Sequence, residues 1–391
     1  MRSYWPLISS LIFTPVAGAD EACVACELRD ALAVAATYTG EQWSQLSGGV
    51  ATGSRYLDNL DITIDADAER LIGVEGLQLF AYLIYNNGHS LNELSGTAQG
   101  VSNIEATDAV RLYELWTQWN FGSGEQSLRF GLYDLNSEFD SIESAGLFIN
   151  PSHGIGPDLA QTGHNGPSIF PATSLGARWS KSRGAWSAQV AALDAVPGHL
   201  DHPDRTAVQL SRDEGALLVG ETNYRSSVGR IGVGYWRYSA DFEELDASGH
   251  RDDNAGAYVM LEAPAFANES ASMNMFVRAG VANGRINPVD RYFGMGAVYT
   301  IASQSREHQI GLAAAVAEFG EPYRRFEASA GNMTNARESI LELTYRVNVS
   351  DWLSIQPDVQ YIKHPNVDAQ LESAWVVGLR FEVSAQRGWP R

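Results

Sequence analysis

A short stretch, residues 132–156 with the sequence LYDLNSEFDSIESAGLFINPSHGIG, gathers side chains that could catalyse a reaction. They are four carboxylates, one serine and one histidine: Asp134, Glu138, Asp140, Glu143, Ser152 and His153. A glycoside hydrolase needs two carboxyl groups about 5 to 9 Å apart around one sugar, one protonated and one ionised. Glu138 and Asp140 share a strand face but have no such partner at a recognisable spacing, so the stretch does not predict hydrolysis.

The serine and histidine lack a third residue that would complete a catalytic triad, so nucleophilic catalysis is not predicted either. The same polar groups can bind hydroxyls reversibly, because carboxylates accept hydrogen bonds while arginine and asparagine donate them. We therefore interpret the stretch as a recognition surface. Residues 149–171 are rich in Gly, Pro, Asn and His, which indicates an ordered loop. The sequence leaves open where this loop lies in the fold.

Other polar motifs predict neither a metal nor a cofactor. The segment HLDHPD, residues 199–204, matches no catalytic zinc spacing and indicates a polar loop. GIGPDL, residues 154–159, lacks the third glycine and the strand–helix setting of a dinucleotide site. The sequence contains no Walker-type phosphate loop, so a process driven by ATP hydrolysis is not predicted.

The N-terminus predicts export. Arg2 precedes an apolar run, residues 5–16, that ends in Ala-Gly-Ala at residues 17–19, the small-residue pattern of a signal-peptide cleavage site. The run is shorter than the roughly 20 residues of a membrane-spanning helix. We expect residues 1–19 to be a signal peptide that is removed.

Two cysteines follow the cleavage site. Cys23 and Cys26 form a C-x-x-C motif in an oxidising compartment, which predicts a local disulfide. The surrounding sequence DEACVACELRDALAVAATY has the pattern of a helix. We therefore expect residues 20–52 to form an N-terminal periplasmic helical segment.

The charge of the chain excludes one class of partner. A formal net charge of −20 argues against nucleic-acid binding, because phosphate recognition needs broad basic surfaces. Lysine occurs only at Lys181 and Lys363, so nearly all basic residues are arginine. Arginine presents a fixed fork of donors, which suits a structured polar interior better than a solvated exterior.

From about residue 56 the dominant pattern is alternation with period two, which predicts half-buried β-strands. In SILELTYRVNV, residues 339–349, Leu341 and Leu343 share one face while Glu342 and Arg346 share the other. Similar units recur to residue 383, joined alternately by short turns and long polar segments. This asymmetry is typical of outer-membrane β-barrels, although a soluble β-sandwich or propeller also alternates. Charged residues inside the strands favour the barrel, because its lumen is wet.

Several segments together resemble the carbohydrate-selective, OprB-type porins of Gram-negative outer membranes. The resemblance extends over essentially the whole mature chain and rests on YTGEQWSQLSGG (38–49), GSRYLDNLDITIDAD (53–67), FAYLIYNNGHSLNELSGTAQGVSNIEA (80–106), RLYELWTQW (111–119), LRFGLYDLNSEFDSIESAGLFINPSHGIGPDLAQTGHNGPSIFP (128–171) and GYWRYSADF (234–242). It implies an all-β fold, a transmembrane antiparallel barrel of about sixteen strands over residues 53–391. It also implies a homotrimer in the bacterial outer membrane, in contact with its lipid.

One feature departs from the family pattern. Outer-membrane barrels of this kind usually end on an aromatic residue of the last strand, whereas here LRFEVS is followed by AQRGWPR, residues 385–391. Either the last strand is recognised through Phe381 or assembly is less efficient. This departure bears on how efficiently the barrel inserts into the membrane and less on its fold.

Side chains on the charged faces are expected to line the pore. By strand parity and by their place in the opening stretch, the predicted pore-lining residues are Glu114, Trp116, Arg129, Asp134, Glu138, Glu221, Arg225, Phe276, Arg278, Glu342, Arg346 and Arg380. Carboxylates and arginines would bind sugar hydroxyls, and aromatic rings would stack on the apolar faces of pyranoses. For any one of them, a salt bridge at the rim or simple filling of the barrel is the alternative.

The sequence predicts a porin for passive, facilitated diffusion of mono- and oligosaccharides and other small solutes. The first alternative is an exported carbohydrate-active enzyme on a soluble β-rich fold. The second is an outer-membrane structural protein that transports nothing.

Overall fold

The computed structural model describes residues 31–211, 213–302 and 306–387. The predicted signal peptide and the Cys23–Cys26 disulfide lie outside these residues. No helix within the described part of the chain has the length and apolar composition of a membrane span.

Sixteen antiparallel strands close into one barrel, which confirms the predicted fold class. Two further strands of two residues each pair with one another and are not part of the barrel sheet. The strands are β1 (Leu32–Gly49), β2 (Gly53–Asp67), β3 (Leu77–Gly88), β4 (Ala109–Phe121), β5 (Gln126–Tyr133), β6 (Ser174–Arg183), β7 (Trp186–Asp194), β8 (Ala216–Ser226), β9 (Gly229–Tyr238), β10 (Phe242–Glu243), β11 (His250–Arg251), β12 (Ala255–Ala267), β13 (Ala271–Ala282), β14 (Val289–Ala302), β15 (Glu307–Phe319), β16 (Arg337–Ser350), β17 (Leu353–Lys363) and β18 (Glu372–Arg387).

Helices are short and lie in the connections. Those of the α type are α1 (Ala68–Ile72), α2 (Asn92–Ser95), α3 (Pro157–Ala160) and α4 (Glu321–Ser329). Short 3-10 turns are Leu135–Ser137, Ser144–Leu147, Pro151–His153 and Pro365–Val367. Local sequence fixes their ends: Asp67 caps α1 by accepting hydrogen bonds from the amides of Glu69 and Arg70 at 3.0 and 3.2 Å.

The first strand corrects the predicted helical segment. From Leu32 onward the chain is β1, so the prediction of a helix over residues 20–52 is wrong for that part, and the barrel begins before residue 53. β1 pairs with β2 on one side and with β18 on the other, and these two pairings close the barrel. The alanine-rich stretch has a helical pattern, but the hydrogen bonds of closure outweigh that local preference. β18 also runs on to Arg387, past the expected end of the last strand.

The two ends of the barrel differ. One end has short turns, such as residues 184–185, 227–228 and 351–352, and there β1 begins and β18 ends. The opposite end carries the long connections: residues 89–108, 134–173, 195–215, 239–254 and 320–336. This confirms the predicted alternation of short turns and long segments.

Alternating residues separate an apolar outer face from a polar inner face. On β16, Leu341 and Leu343 are 47% and 51% exposed, whereas Glu342 and Thr344 are 0% and 1% exposed. The same register holds on β18, where Trp375 and Leu379 point outward and Arg380 points inward. An apolar exterior around a charged interior is the reverse of a soluble sandwich, and it suits hydrocarbon outside and water inside.

We predict that Leu343→Arg destabilises the barrel by about 2–4 kcal/mol, because it places a guanidinium on the lipid-facing side. Val228→Arg is the matched control, since Val228 is 77% exposed in the turn at residues 227–228. The free energy of unfolding in urea, measured in lipid vesicles, checks the difference. Equal stability of the two variants would mean that Leu343 does not face lipid.

Candidate functional site and the inserted loop

Residues 134–173, here called the inserted loop, fold into the barrel and follow its inner wall. Four wall glutamates accept hydrogen bonds from backbone amides of the loop, in the pairs Asp134 N–Glu114 (3.2 Å), Asp140 N–Glu221 (2.8 Å), Ser144 N–Glu262 (2.7 Å) and Ile149 N–Glu342 (2.6 Å). These glutamates lie on β4, β8, β12 and β16. As the loop advances, its amides therefore meet successive positions around the barrel.

Apolar side chains of the loop pack against the wall. Phe139, Leu147, Phe148 and Leu159 are buried in one cluster with wall residues that include Phe276. The rings of Phe148 and Phe276 meet edge to face, with centroids 5.8 Å apart. Burial of this area stabilises the inserted position at about 25 cal/mol per Å² of apolar surface.

Small wall residues make room for the loop. A Cβ atom at position 311 would lie 2.8 Å from the ring of Phe148 and 2.9 Å from Leu147, so Gly311 is required by close approach. Position 280 is equally restricted, because a Cβ there would collide with the carboxylate of Asp158. The wall is therefore shaped to fit the loop.

A buried ion-pair cluster joins the loop to β13. Arg278 is 3% exposed, and its Nη2 and Nε donate to the two carboxylate oxygens of Asp140 at 2.7 and 3.1 Å. Its Nη1 donates to Asp158, which lies on α3 of the same loop. Burial raises the pKa of Asp140 to about 6 although the Arg278 guanidinium opposes the shift, so the carboxylate is ionised at neutral pH. The rings of Tyr258 and Tyr292 lie 5.4 and 5.0 Å from the guanidinium carbon.

The serine and histidine of the opening stretch serve packing. His153 is 4% exposed, and its ring lies 5.0 Å from that of Phe148. Its Nε2 is 3.5 Å from the carboxylate of Glu342, yet burial outweighs this neighbour and lowers the pKa of His153 to about 3. The imidazole is therefore neutral. Ser152 Oγ donates to the carbonyl of Gln99 at 3.4 Å and forms no nucleophile–base pair with the imidazole.

A second polar cluster surrounds Glu138. Burial opposes ionisation of this side chain, but the guanidinium groups of Arg129 and Arg178 hold its pKa below the usual range. Arg178 donates to both carboxylate oxygens at 2.7 Å, and Arg129 Nη2 lies 3.4 Å from the nearer oxygen. The Arg129 guanidinium also lies over the ring of Trp116, with its carbon 3.8 Å from the ring centroid. Trp116 in turn donates to Glu114 at 3.0 Å.

The connection of residues 89–108 also enters the barrel. Arg380 on β18 donates to Glu41 and to Asn103, the latter at 2.5 Å. Glu338 on β16 is 0% exposed and accepts hydrogen bonds from the amides of Ala98 and Gln99, each at 2.9 Å. Two loops therefore narrow the lumen.

Two cavities remain on either side of the inserted loop. One, of about 800 Å³, lies toward the short turns and is lined by Arg225, Arg230, Glu262 and Arg346, among others. The second, of about 470 Å³, lies toward the long connections, and its lining includes Asp61, Tyr82, Asn103 and Arg380. Gly146 lines both cavities. Arg346 of the first donates to Glu382 of the second, so an ion pair on the wall spans the junction.

The structure distributes the predicted pore-lining residues among three environments. Arg225 and Arg346 line the first cavity, and Asp134 and Arg380 line the second. The wall cluster contains Glu114, Trp116, Arg129 and Glu138. Contacts beneath the loop bury Glu221, Phe276, Arg278 and Glu342.

Sequence reasoning missed four polar residues of the site: Arg178, Arg230, Glu262 and Glu382. Strand parity could have found them, since Glu382 shares a face with Arg380. No sequence signal could have found Gly146, because its importance depends on the path of the loop.

The family model for carbohydrate-selective porins of the OprB family matches residues 51–384. The chain belongs to this family. Porin B of Pseudomonas aeruginosa is 23% identical over 88% of this chain and 86% of its own length. The high-pH structure of Pseudomonas putida OprB has a TM-score of 0.82 at 20% identity, covering 93% of this chain and 97% of that one. The structure of the outer-membrane channel DcaP of Acinetobacter baumannii has a TM-score of 0.55 at 11% identity, covering 90% of this chain and 96% of that one. At these identities the structures show the common fold.

Membership of the OprB family confirms the predicted function and location. This chain is a carbohydrate porin of the bacterial outer membrane, a channel and not an enzyme. The carboxylates of residues 132–156 are therefore part of the structure of a channel and not of a catalytic site. The individual pore-lining roles stay predictions.

We predict that Arg278→Leu releases the inserted loop and gives a larger single-channel conductance in planar bilayers. Removing one partner of a buried ion pair costs about 3–5 kcal/mol, because Asp140 and Asp158 would remain buried without their cation. Arg251→Leu is the control, since Arg251 pairs with Asp253 at 2.6 Å in the connection of residues 239–254. Unchanged conductance in a correctly folded Arg278→Leu channel would contradict the anchoring role.

Proposed function

We propose that mono- and oligosaccharides and other small solutes diffuse passively through the two cavities and pass between Gly146 and the Arg346–Glu382 pair. The observation that carries the proposal is that Gly146 lines both cavities and that Arg346 of the first cavity pairs with Glu382 of the second. The two loops fill much of the remaining lumen with buried side chains. A solute that crosses the barrel therefore has this junction as its path.

Groups along the proposed path match the chemistry of sugars. The first cavity offers arginine donors with the acceptor Glu143, and the second adds Asn59, Asp61 and Asn103. Each sugar hydroxyl both donates and accepts, so mixed linings of this kind can replace its hydration shell. Tyr82, Tyr113 and Phe170 supply ring surfaces in the second cavity, suited to the apolar face of a pyranose.

We predict that Arg346→Ala and Glu382→Ala change sugar permeation several-fold, because a hydrogen bond contributes about 1 kcal/mol, or about fivefold in rate. Val347→Ala is the matched control, since Val347 is on the opposite face of the same strand. Swelling rates of liposomes that contain each channel, with sugars and uncharged polyols of equal size, are the measurement. Equal rates in all three variants would rule out this path.

We also propose the homotrimer and the contact with outer-membrane lipid that the family resemblance implied. A polar outer patch on β1 and β2 supports a protein neighbour: Tyr38 donates to Asp58 at 2.9 Å, and the hydroxyls of Ser44 and Ser54 are 2.8 Å apart. Hydrocarbon offers these groups no hydrogen bonds, whereas another copy of the chain does. Light scattering of the purified protein in detergent should give the mass of three chains. The mass of one chain would contradict the trimer.

A further inference from the structure

The residue at the junction of the cavities is a glycine with an exposed position. Gly146 belongs to the 3-10 turn Ser144–Leu147, where its neighbours Ala145 and Leu147 are only 1% and 7% exposed. Among the described residues it is the one that the linings of both cavities share. The loop therefore presents bare backbone where the path changes from one cavity to the other.

The backbone on both sides of Gly146 is fixed to the wall. Ser144 N donates to Glu262 at 2.7 Å, and the carbonyl of Leu147 accepts from Gln356 Nε2 at 2.7 Å. Ile149 N follows with its bond to Glu342. A side chain introduced at position 146 would consequently be held in place and could not move aside with the loop.

Neither packing nor backbone conformation requires a glycine at this position. A Cβ atom there would meet nothing within 4 Å, and the φ angle of Gly146 is outside the left-handed region. Gly131 shows the contrast, since its φ is +144° and a Cβ there would collide with the backbone of Leu115. The space that a side chain at position 146 would occupy is the passage itself.

We propose that the missing side chain at Gly146 sets the upper size limit of the solutes that this porin admits. The inference rests on the proposed path and adds to it the residue that determines the pore width. Because pore diameter is a main source of channel selectivity, a larger side chain should discriminate first against larger sugars. The width would then be adjustable at one position without altering the barrel.

The first test is liposome swelling with Gly146→Trp and a series of mono-, di- and trisaccharides. We expect a disaccharide rate roughly tenfold lower than that of the native channel, a smaller loss for monosaccharides, and little change in Gly146→Ala. Gly249→Trp is the control, because a Cβ at that position in residues 239–254 also meets nothing within 4 Å and Gly249 lines neither cavity. It should permeate sugars like the native channel.

The second test does not depend on folding of a bulky variant. Gly146→Cys is reconstituted as a conducting channel and treated with methanethiosulfonate reagents of increasing size. We expect a stepwise loss of current that grows with reagent size and is reversed by a reducing agent. The native channel, whose own cysteines are Cys23 and Cys26, is the reagent control.

The outcomes separate the two proposals. If Gly146→Trp and modified Gly146→Cys conduct and permeate like the native channel while Arg346→Ala alters sugar rates, the path stands and the size limit lies elsewhere. If neither position affects permeation, the proposed path itself is wrong. Equal loss for sugars of every size would also overturn a role in size selection.

Discussion

The inserted position of the loop depends on carboxylates that bind backbone amides. An amide buried without a partner costs about 1–3 kcal/mol, so a loop that enters a barrel needs acceptors along its whole course. Four inward-facing glutamates provide them, on β4, β8, β12 and β16. The four bonds, at 2.6 to 3.2 Å, attach the loop at successive positions around the wall. The geometry of the passage follows from this attachment, since these bonds fix how far the loop projects from the wall.

This arrangement uses a large part of the polar interior for structure. A charged side chain inside a barrel suggests contact with solutes, but Arg278 and Glu342 are held by loop atoms and are almost completely buried. Arg225 and Arg346 instead face a cavity. The lumen therefore has two populations of charges, one that builds the constriction and one that solutes can reach. Charge on the inner face alone does not distinguish them.

The apolar contacts of the loop complement these polar bonds. Phe148 packs against Phe276 from the wall, and Gly311 leaves the space that its ring needs. Hydrogen bonds fix the position of the loop backbone, and ring packing fixes the orientation of the loop against the wall. Together they leave Gly146 exposed at the junction, while its neighbours Ala145 and Leu147 are almost completely buried. A feature as small as one absent side chain can then influence which solutes cross, because its surroundings do not move.

The sequence by itself determined the barrel, its two faces and its family. In a strand with one apolar and one polar face, the residue type alternates at every second position, so the sequence shows which side chains share a face. Leu341 and Leu343 outside and Glu342 and Arg346 inside are local facts that need no knowledge of the rest of the chain. β1 escaped this reasoning, since its strand conformation depends on pairing with β18, more than three hundred residues away. Only the tertiary structure decided which inward-facing side chains hold the loop and which face a cavity. It alone also showed that Gly146 lies at the junction of the two cavities. These assignments arise from the three-dimensional path of residues 134–173, and that path is set by contacts between residues far apart in sequence.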